Sequence, residues 1–311
     1  MKNSIIINSI ILLYILTLSC QTGNKKTNKE ESVLIKLKES EEQVYLSQYL
    51  SHDEYIALET TPACLIGNIK KIEIYNELIF ILDPYIAKKL LVFDKKGKFL
   101  HQISEYGKGP GEYLDIFDFV IRNDKIYILN NRSSVNEYTI NGTFIKTYLL
   151  PFWAERLVPI NENYWGLITN SDKSHGYEFN FHLTSLDFNN EKGLLKSKFD
   201  DFPIEPLQQV SLINGIPYFF MPLDNKIYNA NTERLYKKYI LQFPKEYIIS
   251  DVELQKYTKL SIRNRVEKIL NNTISLSSII FTENLKIIRY NQKKQPYLCF
   301  FNNEEDYVTI S

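Results

Sequence analysis

The side chains best placed to do chemistry in this chain are carboxylates and amides that recur near the ends of apolar runs. Asp83 closes the run Leu78-Ile79-Phe80-Ile81-Leu82, and Asn130 closes Ile126-Tyr127-Ile128-Leu129, 47 residues further on. Asp115, Asp118 and Asp224 lie near other strand ends or turns. Oxygens gathered from several such places would suit Ca²⁺ or a polar ligand. A carboxylate beside a bound metal would open hydrolase, lactonase or lyase chemistry. The competing role is turn capping, which Asp and Asn perform in most loops. Capping is the stronger reading, and no catalytic residue or cofactor is assigned.

Other candidate chemistry is thinner. The four histidines, His52, His101, His175 and His182, do not have metal-ligand spacing. There is no Gly-x-Ser-x-Gly elbow, Cys-x-x-Cys pair or HExxH helix. Gly107-Lys108-Gly109-Pro110-Gly111-Glu112-Tyr113 has the glycines of an anion-binding nest. It lacks both the Gly-Lys-Ser/Thr of a phosphate loop and the GxGxxG spacing, so a connecting turn explains it better. Trp153, Trp165, Tyr164 and Tyr177 are conceivable carbohydrate-stacking platforms, although core packing accounts for most of the aromatic residues. Cys64 and Cys299 would pair in an oxidising compartment or serve as small buried apolar residues.

The elements that must position these groups are strands. Tyr (22) and Phe (18) are abundant in a chain of 311 residues that is 44% hydrophobic, which favours sheet over helix. Acidic and basic residues balance at 37 each, so no nucleic-acid-binding surface is indicated. Between Leu78 and Leu150 one pattern is written twice. Ile79 to Asp83 returns as Ile126 to Asn130, and Phe93-Asp94…Gly97-Lys98-Phe99 returns as Tyr138-Thr139…Gly142-Thr143-Phe144, 45 residues on. A near-constant period of that length, with glycine hairpins, marks a β-propeller blade.

Continuing the count predicts an all-β propeller with five recognisable blades and a sixth to be supplied. Either residues 33–60, with strands at Val33–Leu37 and Ile56–Glu59, provide most of it, or the last blade is incomplete. The six-bladed, NHL-like ring is the expectation. Ser250-Asp251-Val252-Glu253 has capping-box form, and Leu254, Tyr257, Ile262, Val266, Ile269 and Leu270 share a rough helical face. A short helical insertion is therefore expected near 250–271.

The N-terminus reads as an export signal over residues 1–20. Lys2 precedes an apolar stretch from Ile5 to Leu18, and Leu16-Thr17-Leu18-Ser19-Cys20 resembles a bacterial lipobox in which Cys20 would be lipidated. An ordinary secretory signal is the alternative. Residues 21–32 (QTGNKKTNKEES) have no apolar side chain and read as a disordered tether to a folded domain at 33–311.

The GKGPGEY stretch after VFDKKGKFLHQI and before IFDF, together with PYFFMPLDNKIY at 217–228, resembles the six-bladed β-propeller lipoproteins of Gram-negative (Bacteroides-type) cell envelopes. The resemblance covers roughly residues 33–311. It implies a propeller, a lipid anchor and an envelope address, with the outer membrane as the expected membrane and its face open. It brings no catalytic residues. The function expected is a ligand-binding or protein-interaction module with an unidentified protein or glycan ligand. The alternatives are a metal-dependent enzyme using channel carboxylates such as Asp83, and a structural partner of an envelope complex.

Overall fold

The computed structural model describes residues 32–36, 54–169, 178–196, 206–231, 234–257, 259–302 and 307–310. All belong to one compact unit, Ser32–Ser311. The proposed signal, the tether up to residue 31, Cys20, His52, His175 and Tyr177 lie outside the described residues.

Among the described residues the strands form five sheets, each built on four up-and-down antiparallel strands. Blade 1 is β2 (Lys71–Tyr75), β3 (Leu78–Asp83), β4 (Lys89–Asp94) and β5 (Phe99–Ile103); β1 (Val33–Lys36) lies elsewhere, as described below. Blade 2 is β6 (Ile116–Arg122), β7 (Lys125–Asn130), β8 (Ser134–Thr139) and β9 (Phe144–Leu149). Blade 3 is β10 (Arg156–Asn161), β11 (Tyr164–Ile168), β12 (Phe179–Ser185) and β13 (Glu191–Lys196). Blade 4 is β14 (Val210–Ile213), β15 (Ile216–Phe220), β16 (Lys226–Ala230) and β17 (Leu235–Gln242). Blade 5 is β18 (Ile274–Phe281), β19 (Lys286–Gln292), β20 (Gln295–Phe301) and β21 (Tyr307–Ile310).

The propeller has five blades, which corrects the six expected. Among the described residues the N-terminal segment does not build another sheet. Val33–Lys36 adds to the outer strand of blade 4, running parallel to β17 with Val33 opposite Tyr239 and Lys36 opposite Gln242. Ile35 thereby enters the core between blades 4 and 5. The stretch Ile56–Glu59, expected as a strand, forms none. It lies along blade 1 instead, where the Glu59 amide donates to the Gly97 carbonyl at 2.8 Å and the Phe99 amide donates to the Glu59 carboxylate at 3.0 Å.

Apolar side chains fill the spaces between consecutive blades, as expected for strands covered on both faces. One cluster joins blades 1 and 2 through Phe80, Leu82, Phe119 and Ile128, and another joins blades 2 and 3 through Leu129, Trp165 and Leu167. Phe181 stacks on Phe219 between blades 3 and 4, with ring centroids 4.5 Å apart. The far side of blade 1 is covered by Leu58, Cys64 and Ile66, while Ile72 and Ile74 of β2 remain 49% and 71% exposed. Cys64 and Cys299 are buried in separate clusters and are not joined, so the bridge considered from the sequence is not formed.

Two helices, α1 (Asp251–Tyr257) and α2 (Ile262–Asn272), connect blade 4 to blade 5. Ser250 and Glu253 cap α1 reciprocally, and Ser261 accepts from the Asn264 amide at the start of α2. Leu254 and Ile269 are buried, whereas Ile262 is exposed, so the apolar face is narrower than its sequence pattern.

Candidate functional site

In each blade the first strand is followed by a tight hairpin, and the connection from the previous blade enters at that strand's start. The starts of β2, β6, β10 and β14 therefore share one end of the molecule, here called the pocket end. A cavity opens there with an empty volume of about 310 Å³, including the part open to solvent. Lys70, Lys71, Phe117, Asp118, Arg156, Gln208 and Gln209 line it.

Strand register explains the convergence. Lys71 pairs with Leu82, and Asp118 pairs with Leu129. The two residues hold the same place in consecutive blades, 47 residues apart. Arg156 opens β10 and Gln209 immediately precedes β14, so four blades each contribute a long polar side chain.

Asp118 is the hub. One carboxylate oxygen accepts from the Lys71 ammonium at 3.1 Å and from the Phe119 amide at 2.9 Å. The other accepts from the Leu157 amide at 3.0 Å, so one buried side chain links blades 1, 2 and 3. The Lys71 ammonium also donates to the Phe119 carbonyl and lies 3.5 Å from the Glu73 carboxylate. Burial opposes the charge on Lys71, but the attraction of Asp118 and Glu73 prevails and holds its pKa above the ordinary lysine value. Glu73 shifts upward mainly because it is buried; Lys71 pulls the other way, and the nearby Asp118 adds to the rise.

Beyond Asp118 the network passes to backbone. The Arg156 guanidinium donates to the carbonyls of Glu155 at 2.7 Å and Pro206 at 3.1 Å. The segment it holds reaches blade 5, where the Leu207 amide donates to the Ser277 carbonyl at 2.8 Å. Gln209 donates to the Phe220 carbonyl at 2.8 Å. The polar part of the lining is thus charged and fixed from several directions, and it stands beside the apolar side chains of Leu82, Phe117, Leu207 and Val210.

Of the oxygen-bearing residues expected to form a ring, only Asp118 lines this cavity. Asp83 is fully buried and accepts from the amides of Gly67 (2.7 Å), Asn68 (2.9 Å) and Ile86 (3.0 Å). Burial works against its charge, yet these amides hold its pKa below the ordinary carboxylate value. Asp83 ties the entry of β2 to the turn after β3, which is the capping role. Asn130 accepts from the Ser134 hydroxyl across its own turn. Asp115 pairs with Lys88 at 2.8 Å, and Asp224 accepts from Lys226 and Tyr228. Among the described residues no group of His, Cys, Asp and Glu has the arrangement of a metal site.

The GKGPGEY loop holds an anion of its own. The Glu112 carboxylate accepts from the Gly109 amide at 2.6 Å, and a Cβ on Gly107 would stand 2.0 Å from that carboxylate. Gly111, at φ +80°, packs so closely on Phe144 that a Cβ would lie 2.7 Å from its ring. Its carbonyl accepts from the Tyr138 hydroxyl at 2.6 Å. The glycines shape a turn that closes on its own acid. Trp165 is fully buried in the core, while Trp153 and Tyr164 are partly exposed. His182 contacts Glu191 in blade 3, remote in sequence and fold from His101 in blade 1.

Lys71, Arg156 and Gln209 were not singled out in the sequence. The spacing that relates Asp83 to Asn130 also relates Lys71 to Asp118, so Lys71 was within reach of the same reasoning. Arg156 and Gln209 lie in the looser blades, where no constant spacing locates them.

Comparison with solved structures supports the fold. A "Putative exported protein" of Bacteroides fragilis shares 22% identity, covering 89% of this chain and 80% of its own, with a TM-score of 0.79. A streptogramin B lyase aligns at 12% identity over 77% of this chain and 67% of its own, with a TM-score of 0.48. PorZ, a surface component of the type-IX secretion system of Porphyromonas gingivalis, aligns at 10% identity over 78% of this chain and 26% of its own, at 0.43. The latter two scores are too low to carry an argument about activity. No functionally curated protein matches the chain. A family model described as Domain of unknown function (DUF4934) matches residues 32–311.

Proposed function

The chain belongs to the DUF4934 family, and we propose that it is an exported, lipid-anchored β-propeller that binds a ligand at the pocket end. The observation that carries the reading is the lining itself. Lys71, Asp118, Arg156 and Gln209 arrive from four different blades, and backbone groups hold them in place before any ligand arrives. Pre-positioned polar groups converging on a concavity are the usual form of a binding site. A binding role suits them better than a reaction. Asp118 already serves Lys71 and two amides, and Asp83, the carboxylate a metal-dependent hydrolase would need in the channel, is engaged by three backbone amides.

Thermal unfolding of the full chain in detergent, against a panel of small polar anions, sugars and peptides, tests the pocket. A ligand at about a hundred times its dissociation constant stabilises by roughly 2.7 kcal/mol. The shift should shrink in Lys71→Met, which removes the ammonium and keeps most of the stem. A panel member that stabilises wild type and variant equally would move the ligand site away from the pocket.

Export and anchoring rest on the leader: Lys2, the apolar stretch to Leu18, and Cys20 followed by a polar segment. The resemblance in fold to the Bacteroides fragilis protein is in keeping with export. Metabolic labelling with a fatty acid should mark the wild-type chain, and Cys20→Ala should abolish the label and release the protein from the membrane fraction. Retained label in Cys20→Ala would exclude the anchor.

A further inference from the structure

Resting on the lipid anchor and the pocket proposed above, we infer that the propeller stands with its hairpin end toward the membrane and its pocket end toward the aqueous side. The ligand is then a solute or a group borne on another surface, and not a lipid of the anchoring bilayer. The hairpin end is the one opposite the pocket, where the first and second strands and the third and fourth strands of each blade turn. β1 sets the pose. The fourth strand of each blade runs from the hairpin end to the pocket end, and β17 is the fourth strand of blade 4. β1 pairs with β17 in parallel, so it too runs toward the pocket end, from Val33 opposite Tyr239 to Lys36 opposite Gln242. The chain therefore enters the folded body from the hairpin side, away from the end where Lys71, Asp118, Arg156 and Gln209 meet.

That entry is fixed. The Ser32 hydroxyl donates to the Lys237 carbonyl at 2.6 Å, near the start of β17 at Leu235. Ile35 is buried in the core between blades 4 and 5, and Val33 packs against the same cluster. A one-residue slip of β1 would turn Ile35 to solvent. The connection to the lipid is short: twelve residues lead from Cys20 to Ser32 and span at most about 40 Å. With the hairpin end toward the bilayer, that length lies on the side from which β1 starts. With the pocket end toward it, the chain would have to reverse beside Ser32 and run back along the blade edge. From Lys237 to Gln242 alone that return is roughly 17 Å. Residues 21–32 carry no apolar side chain to hold such a run against the blade. The reverse pose has one attraction, since Tyr85 and Tyr106, exposed at the pocket end, would meet the headgroup region that tyrosine favours. The point of entry opposes it, and a measurement separates the two.

Fluorescence quenching tests the pose on the lipidated full chain in phosphatidylcholine vesicles that contain a nitroxide-headgroup lipid. A dye is placed at Asn284→Cys, in the hairpin between β18 and β19, or at Lys245→Cys, just after β17 at the pocket end. Both positions are exposed. Cys64 and Cys299 are buried, and the wild-type chain gives the background labelling. The dye at Asn284→Cys should be quenched at least twofold more than that at Lys245→Cys. A long glycine-serine insertion after Glu31 should erase the difference. Stronger quenching at Lys245→Cys, equal quenching at both, or a difference that survives the insertion would overturn the pose while leaving the anchor standing. Failure of the wild-type chain to float with the vesicles would remove anchor and pose together. The pocket reading is separate from both, because its thermal shift in Lys71→Met is measured in detergent.

Discussion

The two ends of the blades solve the same problem, reversing a strand, with different emphasis. At the hairpin end the turns are short and local. Asn76-Glu77, Asn123-Asp124 and Asn214-Gly215 all take positive φ, as do Gly97 and Gly142 in the outer hairpins. Paired left-handed residues are what a two-residue turn needs to follow the twist of its strands. At the pocket end, where Asn131-Arg132 and Lys293-Lys294 also take positive φ, buried carboxylates add a second hold: Asp83 fastens residues 67–68 within blade 1, and Asp118 reaches across blades to Lys71 and Leu157. The hairpin end is held mainly by backbone conformation; at the pocket end buried charge is added to it, and Asp118 carries that charge between blades. Among the described residues the pocket end gathers Lys71, Asp118, Arg156 and Gln209 around a common cavity.

The largest effect that would break this contrast is expected at Asp118. Asp118→Ala removes the acceptor shared by Lys71, Phe119 and Leu157. Removing one partner of a buried pair costs about 3–5 kcal/mol, and the partial exposure of Lys71 (24%) puts the loss near the lower figure. Denaturant unfolding measures it. Lys71→Met/Asp118→Ala, which leaves no unpartnered ammonium, should recover part of the loss, and the cycle isolates the coupling. Equal losses in the single and double variants would show that the amide acceptor, rather than the charge, holds the blades.

These two ends also differ in how far the sequence discloses them. The hairpin end is local, so Asn123-Asp124, Asn141-Gly142 and Lys95-Lys96-Gly97 announce their turns and with them the blade period. The pocket end depends on which blades become neighbours. Asp118 could be named as a candidate, but its partners Lys71 and Leu157 lie 47 and 39 residues away, and only the register brings them together. Asp83 was legible as an acid at a strand end, and its amide partners show why it caps rather than binds. The sixth blade failed for the same reason. Val33–Lys36 reads correctly as a strand, yet nothing within it says that it pairs in parallel with β17, some two hundred residues on.

The smallest expected effect sharpens the other side of the comparison. Glu77 holds φ +62° at the second position of its turn, where glycine has no steric cost. A left-handed conformation costs a side-chain-bearing residue roughly 1–2 kcal/mol. Glycine gives back about 0.5–1 kcal/mol of that through the greater freedom of the unfolded chain. The ion pair that Glu77 makes with Lys95 at 2.6 Å is exposed on both sides and offsets a further few tenths. Glu77→Gly should therefore stabilise by about 0.5 kcal/mol or less, read as a small rise in melting temperature. The equivalent Asp124→Gly should not stabilise, because Asp124 also accepts from the Tyr75 hydroxyl at 3.0 Å and the Asn76 side-chain Nδ2 at 3.3 Å. Those bonds cross from blade 1 to blade 2. A gain at Glu77 with none at Asp124 would show that the hairpin end is set by backbone conformation wherever a turn stands alone, and by contacts between blades where one does not.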